Sequence, residues 1–76
     1  MKKKIKSLLI KKLNLQKCIV KNKSNHFKII AIGKIFNGMN LMNKQKIVYS
    51  VIMKYIIKKK IHSVIIDAYS KKNKIE

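Results

Sequence analysis

Apolar and polar positions recur along the chain with two different periods, and the changes of period mark the elements. Ile5, Leu8, Leu9 and Leu13 lie at helical spacing with Lys on the other face, which predicts a short amphipathic helix over 3–13, ended by Asn14. Lys-Cys-Ile-Val-Lys at 17–21 suits a short strand, and polar Asn22-Lys23-Ser24-Asn25 reads as a turn. His26-Phe27-Lys28-Ile29-Ile30-Ala31-Ile32 reads as a second strand, rich in β-branched residues, with Gly33 at its end. These two strands predict an antiparallel hairpin. Beyond a loop at 36–39, Ile47, Val48, Val51, Ile52, Tyr55 and Ile56 repeat as i, i+1, i+4, i+5. That stripe predicts a helix over about 41–59 with one face on the sheet. Lys58, Lys59 and Lys60 fall at its end, where positive charge suits the helix dipole. Residues 61–68 read as a third strand. A strand–helix–strand crossover within one sheet is right-handed and leaves strands two and three parallel. The polar tail, 70–76, is expected to fray.

The expected fold is therefore α+β, in the order α-β-β-α-β, with a three-stranded mixed sheet and both helices on one face. Seventy-six residues make one domain with an ordered core over about 3–69 and a thin interior, without room for a cofactor-sized catalytic cleft. Hydrophobic residues are 47% of the chain, enough to fold it. The only carboxylates are Asp67 and Glu76, so paired-carboxylate chemistry and hydrolytic triads lack residues. No Walker loop or GxGxxG occurs. A non-enzyme without a small-molecule substrate is expected. The one cysteine, Cys18, has no partner for an internal disulfide, which fits a reducing, cytoplasmic setting. The run Leu8-Leu9-Ile10 is too short for a signal-peptide core and ends at Lys11-Lys12, and Ser50 and Lys54 interrupt the apolar stretch over 47–57. No membrane role is expected.

The net charge is +18, and all 20 basic residues are Lys. Such a field attracts nucleic acid, acidic membrane or acidic protein. AT-rich codon usage, which favours Lys, Ile and Asn, produces the same balance with no partner in view. The absence of Arg counts against a dedicated reader of bases, since Arg supplies the bidentate fork.

Five segments, in order and at matching spacing, resemble the BolA/IbaG family over nearly the whole chain. His26-Phe27-Lys28-Ile29-Ile30-Ala31-Ile32-Gly33 is similar to its central strand, and Phe36-Asn37-Gly38-Met39 to its Phe-x-Gly-Met turn. Lys44-Gln45-Lys46-Ile47-Val48-Tyr49 resembles the basic start of its long helix. Ile61-His62-Ser63-Val64 and Ala68-Tyr69-Ser70 resemble the opening and the end of its last strand. The run Leu13-Asn14-Leu15-Gln16 inclines the match towards the IbaG-like branch. The resemblance implies a fold like a class II KH domain. It also implies partnership with a monothiol glutaredoxin and its glutathione around a bridging [2Fe–2S] cluster, and links to transcriptional regulation and acid stress. The chain departs from the family pattern after Ser70, so a truncated C-terminal helix is expected. The loop at 22–25 lacks the His or Cys that cluster-binding members often carry there. Gly33 and Gly38 have the wrong spacing for the GxxG clamp of KH domains.

His62 is the leading candidate ligand. Neutral imidazole binds iron, and His replaces Cys on one iron of Rieske-type clusters. Read from the residues alone, His62 is more ordinarily a half-buried histidine with its hydrogen bond satisfied; the family resemblance is what favours a ligand. His26 is the weaker candidate. Parallel pairing starts both histidines at one edge of the sheet, but alternation turns His26 and Lys28 outward while His62 shares the inward parity of Val64, Ile66 and Ala68. Cys18 reads as a small core residue rather than a thiolate ligand. Lys44, Lys46, Lys54 and Lys58 on the long helix are the residues that would meet DNA phosphates or an acidic partner, or simply a solvated face. Tyr49 and Tyr55 read as packing residues rather than base-stacking platforms.

Overall fold

The computed structural model describes residues 2–24, 26–59 and 63–70, without the side chains of 56, 58 and 59. The elements follow the expected order: α1 (Lys2–Leu13), β1 (Lys17–Lys23), β2 (His26–Ile32), a single 3-10 turn (Lys34–Phe36), α2 (Leu41–Lys59) and β3 (Ser63–Tyr69). Helix α1 stops where Asn14 takes a left-handed φ of 52°, a conformation Asn tolerates better than most residues. The Leu15 N–H then donates to the Ile10 carbonyl at 3.2 Å, the six-to-one bond of a Schellman ending, and Leu15 is buried.

Strand β1 runs two residues further than its polarity suggests. Asn22 and Lys23 pair with Phe27 and His26, because ladder hydrogen bonds belong to the backbone and an exposed hairpin tip accepts polar side chains. The turn shrinks accordingly, and Ser24 adopts a φ of 57°, as tight hairpins require. Strand β3 takes in Tyr69, which pairs with Ile32 and whose carbonyl accepts the Gly33 N–H at 3.0 Å. The expected first residues of this strand, 61 and 62, lie outside the described residues, as do residues 71–76 of the expected tail and with them the expected truncation of a C-terminal helix; Ser70 is described and half-buried.

The sheet order is β1-β2-β3, with β1 antiparallel and β2 parallel to β3, as the crossover argument predicts. Two rows of side chains face the helices: Val20, Ile29 and Ile66, then Cys18, Ala31 and Ala68. They form one core with Ile5, Leu9 and Leu13 of α1 and Val48 and Ile52 of α2, so both helices cover the same face. Each fully buried Leu or Ile contributes about 1.5–3 kcal/mol. Ile32 departs from the alternation: it has outward parity yet is fully buried.

Four joints hold the layers in register. Gly33 passes so close to the α1–β1 link that a Cβ there would lie 2.8 Å from Leu15 Cδ2 and 3.3 Å from Leu15 Cα. Phe36-Asn37-Gly38-Met39 is a type II turn: Asn37 has φ −63° and ψ 126°, Gly38 has φ 78°, and the Met39 N–H donates to the Phe36 carbonyl at 3.1 Å. Only glycine enters that second position without strain. Asn40 caps α2, its Oδ1 accepting the Asn43 N–H at 2.8 Å. Gln45 Nε2 donates to the Ile66 carbonyl at 2.7 Å and ties α2 to β3.

Candidate functional site

At one end of the sheet, Lys23 ends β1 while His26 and Ser63 begin β2 and β3. The register places these three side by side, Lys23 against His26 and His26 against Ser63. They share the face that the helices leave open. His26 Nδ1 lies 2.7 Å from Ser63 Oγ, a hydrogen bond that orients the imidazole ring, and both residues are exposed. The next row is Lys21, Lys28 and Ile65, and these residues line one open depression together with Lys23, His26 and Ser63. Lys28 Nζ reaches Asp67 Oδ2 at 4.0 Å, with both side chains about half exposed; Asp67 is the only acid among the described residues. The end of the open face is therefore an imidazole set among lysines.

The leading sequence candidate, His62, lies outside the described residues; it immediately precedes Ser63 in the chain. Ser63, not residue 62, is the in-register neighbour of His26. Sequence reasoning passed over Ser63, because a strand boundary read from composition is uncertain by more than the single residue that decides the partner. The outward placement of His26 and Lys28 follows the predicted alternation: both are exposed.

Cys18 takes no part in this site. It is 1% exposed, and burial pushes its thiol pKa up to about 11, with Lys6 pulling weakly the other way. Sealed in the core with its thiol held protonated, Cys18 is out of reach of a metal or an electrophile in solution. Among the described residues, no group of three or more His, Cys, Asp or Glu converges on one point.

The lysines of α2 do not form a single row. Lys44 is half-buried and Lys46 exposed, on opposite sides of the helix as a two-residue separation requires. Lys54 is exposed, with its Nζ 5.8 Å from the centre of the Tyr55 ring. The Lys58 side chain lies outside the described residues. Tyr49 packs against the core and Tyr55 is half-buried, as expected of packing residues. Among the described residues, no helix is long and apolar enough to cross a membrane.

Comparison with known proteins agrees with this architecture. Residues 2–73 match the family model described as BolA-like protein. The acid stress protein IbaG of Escherichia coli K12 is 42% identical over 66 residues, which span 87% of this chain and 79% of that protein. An uncharacterized protein of Buchnera aphidicola subsp. Acyrthosiphon pisum is 47% identical over 66 residues, 87% of this chain and 82% of its own. Among solved structures, the BolA domain of SufE1 from Arabidopsis thaliana superposes with a TM-score of 0.83 at 20% identity, covering 95% of this chain and 93% of that one. At that identity the likeness speaks for the fold alone. The family model and the IbaG match together place the residues: the chain belongs to the BolA family.

Proposed function

We propose that this chain is a non-enzymatic adaptor and regulator that docks on a monothiol glutaredoxin and supplies a histidine to a shared [2Fe–2S] cluster, in iron–sulfur handling or the response to acid stress. The observation that carries the reading is the sheet end at which His26 and Ser63 stand side by side, directly after His62 in the chain. His62 is the proposed ligand. His26, hydrogen-bonded to Ser63, is the neighbouring imidazole, suited to a secondary contact with the cluster or the partner. Family membership and the match to an acid stress protein support the same reading.

The donor chemistry of the described residues suits a shared cluster better than a resident one. Cys18 is sealed in the core, so no thiolate of this chain is at hand. A partner's cysteine and a glutathione thiolate would complete the coordination around the His62 imidazole, a borderline ligand suited to iron. Lys21, Lys23 and Lys28 around the imidazole suit the negative charge of a thiolate-bound cluster and of glutathione carboxylates. The rival reading, DNA binding by Lys44, Lys46, Lys54 and Lys58, has less support, because half-buried Lys44 and exposed Lys46 lie on opposite sides of the helix and do not make one face.

Reconstitution tests the proposal. The chain is mixed with a monothiol glutaredoxin, glutathione, iron and sulfide, and visible absorption and circular dichroism are recorded. The expected spectrum differs from that of glutaredoxin alone, His62→Ala abolishes the difference, and His26→Ala weakens it. A spectrum identical to that of glutaredoxin alone overturns the reading.

A further inference from the structure

Helix α2 is apolar on both sides. Its inner stripe enters the core, but Met42, Lys46, Ser50, Met53 and Ile57 follow one another at the spacing of a single outer ridge. A helix with a partner on one side only ordinarily carries polar residues there. Here Met53 is 51% and Ile57 70% exposed. Across from them, half-buried Leu8 of α1 and Val51 of α2 form the floor of a groove that Met53 and Ile57 continue. Leu8 also lines a second depression, shared with Tyr55 and otherwise bordered by polar residues of α1.

Lysines rim this strip. Lys12 and Lys54 border the first depression, and Lys4 and Lys11 the second. Among the described residues, neither is lined by an acid. The only described acid, Asp67, pairs with Lys28 on the far face of the sheet.

We infer that the groove between α1 and α2 is a docking site for an acidic amphipathic helical segment of another protein. Its apolar stripe would lie on Leu8, Val51, Met53 and Ile57, and its carboxylates would face Lys4, Lys11, Lys12 and Lys54. Charge decides against a second copy of this chain, since each copy carries a net charge of +18. Shape and composition decide against an acidic bilayer. Leu8 and Val51 are recessed between helices rather than protruding, the chain has no Trp, and Phe27 and Phe36 are buried. A phosphate backbone would use the lysines but not the apolar floor. A concave apolar strip with a charged rim is what the helix-in-groove mode of recognition employs. The groove lies on the helix side, away from His26, so this inference does not depend on the cluster reading.

The test uses the full chain and a fluorescein-labelled peptide with Leu at i, i+3, i+4 and i+7 and Glu at most other positions. A scrambled peptide of the same composition keeps the charge and loses the stripe. Anisotropy titrations run in near-physiological salt, and amide chemical shifts locate the contact. The striped peptide should bind about tenfold more tightly than the scrambled one. Shifts should centre on Leu8, Val51, Met53 and Ile57. The double variant Met53→Ser/Ile57→Ser, whose side chains are exposed, should remove the preference while the far-UV circular dichroism stays that of the parent. Lys12→Glu/Lys54→Glu should weaken both peptides. Equal binding of the two peptides overturns the inference. So do shifts confined to the open sheet face, and so does binding to phosphatidylglycerol vesicles that needs Met53 and Ile57 when the striped peptide gains nothing from them.

Discussion

On the face of the sheet beneath the helices, Ile29, Ala31, Ile66 and Ala68 are almost wholly buried; one position along the same strands, His26, Lys28 and Ile65 stand in solvent. Backbone, pairing and strand length are the same for both sets. What differs is whether α1 and α2 lie above them. The covered face is where side chains hold the fold, and the open face is where they are available to another molecule. A residue's chemistry follows from the same division: on the covered side a cysteine is locked as a thiol, and on the open side a histidine keeps a ring nitrogen at hydrogen-bonding distance from a surface serine.

The sharpest way to break this comparison is to truncate one isoleucine on each face. Ile29→Ala leaves a cavity in the core and should lower unfolding stability by about 3 kcal/mol, whereas Ile65→Ala should change it by less than about 0.5 kcal/mol. Urea denaturation of both variants checks this, and equal losses would mean that the open face is covered after all.

A second prediction uses pH. Burial raises the Cys18 thiol from 9.0 to about 11. The unfolded chain therefore loses this proton first as pH rises. The stability associated with the protonated thiol is fully present below pH 9 and is lost as pH rises towards 11, a change on the order of 2 kcal/mol. Cys18→Ala should lack this loss, so the gap between its urea midpoint and that of the parent should shift across that window and stay constant below it. Thiol reagents at pH 8 should label the parent only as it unfolds. The smallest effect belongs to the open face. The Lys28–Asp67 pair is 4.0 Å long and half exposed, so Asp67→Asn should cost no more than about 0.5 kcal/mol and the cost should vanish in high salt.

Much of this architecture is legible in the pattern of residues. The α2 stripe predicts the helix over its observed span, and β2 runs over the seven predicted residues, because each has a long, clean period. Asn14 as a helix stop and the parallel pairing of β2 with β3 also follow from local chemistry and chain handedness. The extra length of β1 is hidden because Asn22 and Lys23 have turn-like side chains, while what holds them is backbone pairing with β2. At the candidate site, the exposure of His26 is legible from alternation. Its bond to Ser63 is not, because the register of a crossover depends on how α2 seats on the sheet.

The amino-acid sequence by itself determined the order of the elements, the inner and outer sides of β2 and β3 with Ile32 as the exception, the helix stop at Asn14 and the positive field. These are properties of neighbours within a few residues, where period, φ and charge act directly. Tertiary structure alone decided which residues of distant segments meet: Leu15 against Gly33, Gln45 on the Ile66 carbonyl, His26 beside Ser63, and Leu8 in one groove with Met53 and Ile57. Those meetings depend on the rotation and seating of whole helices, which a shared core fixes through many small contacts at once and no local pattern encodes.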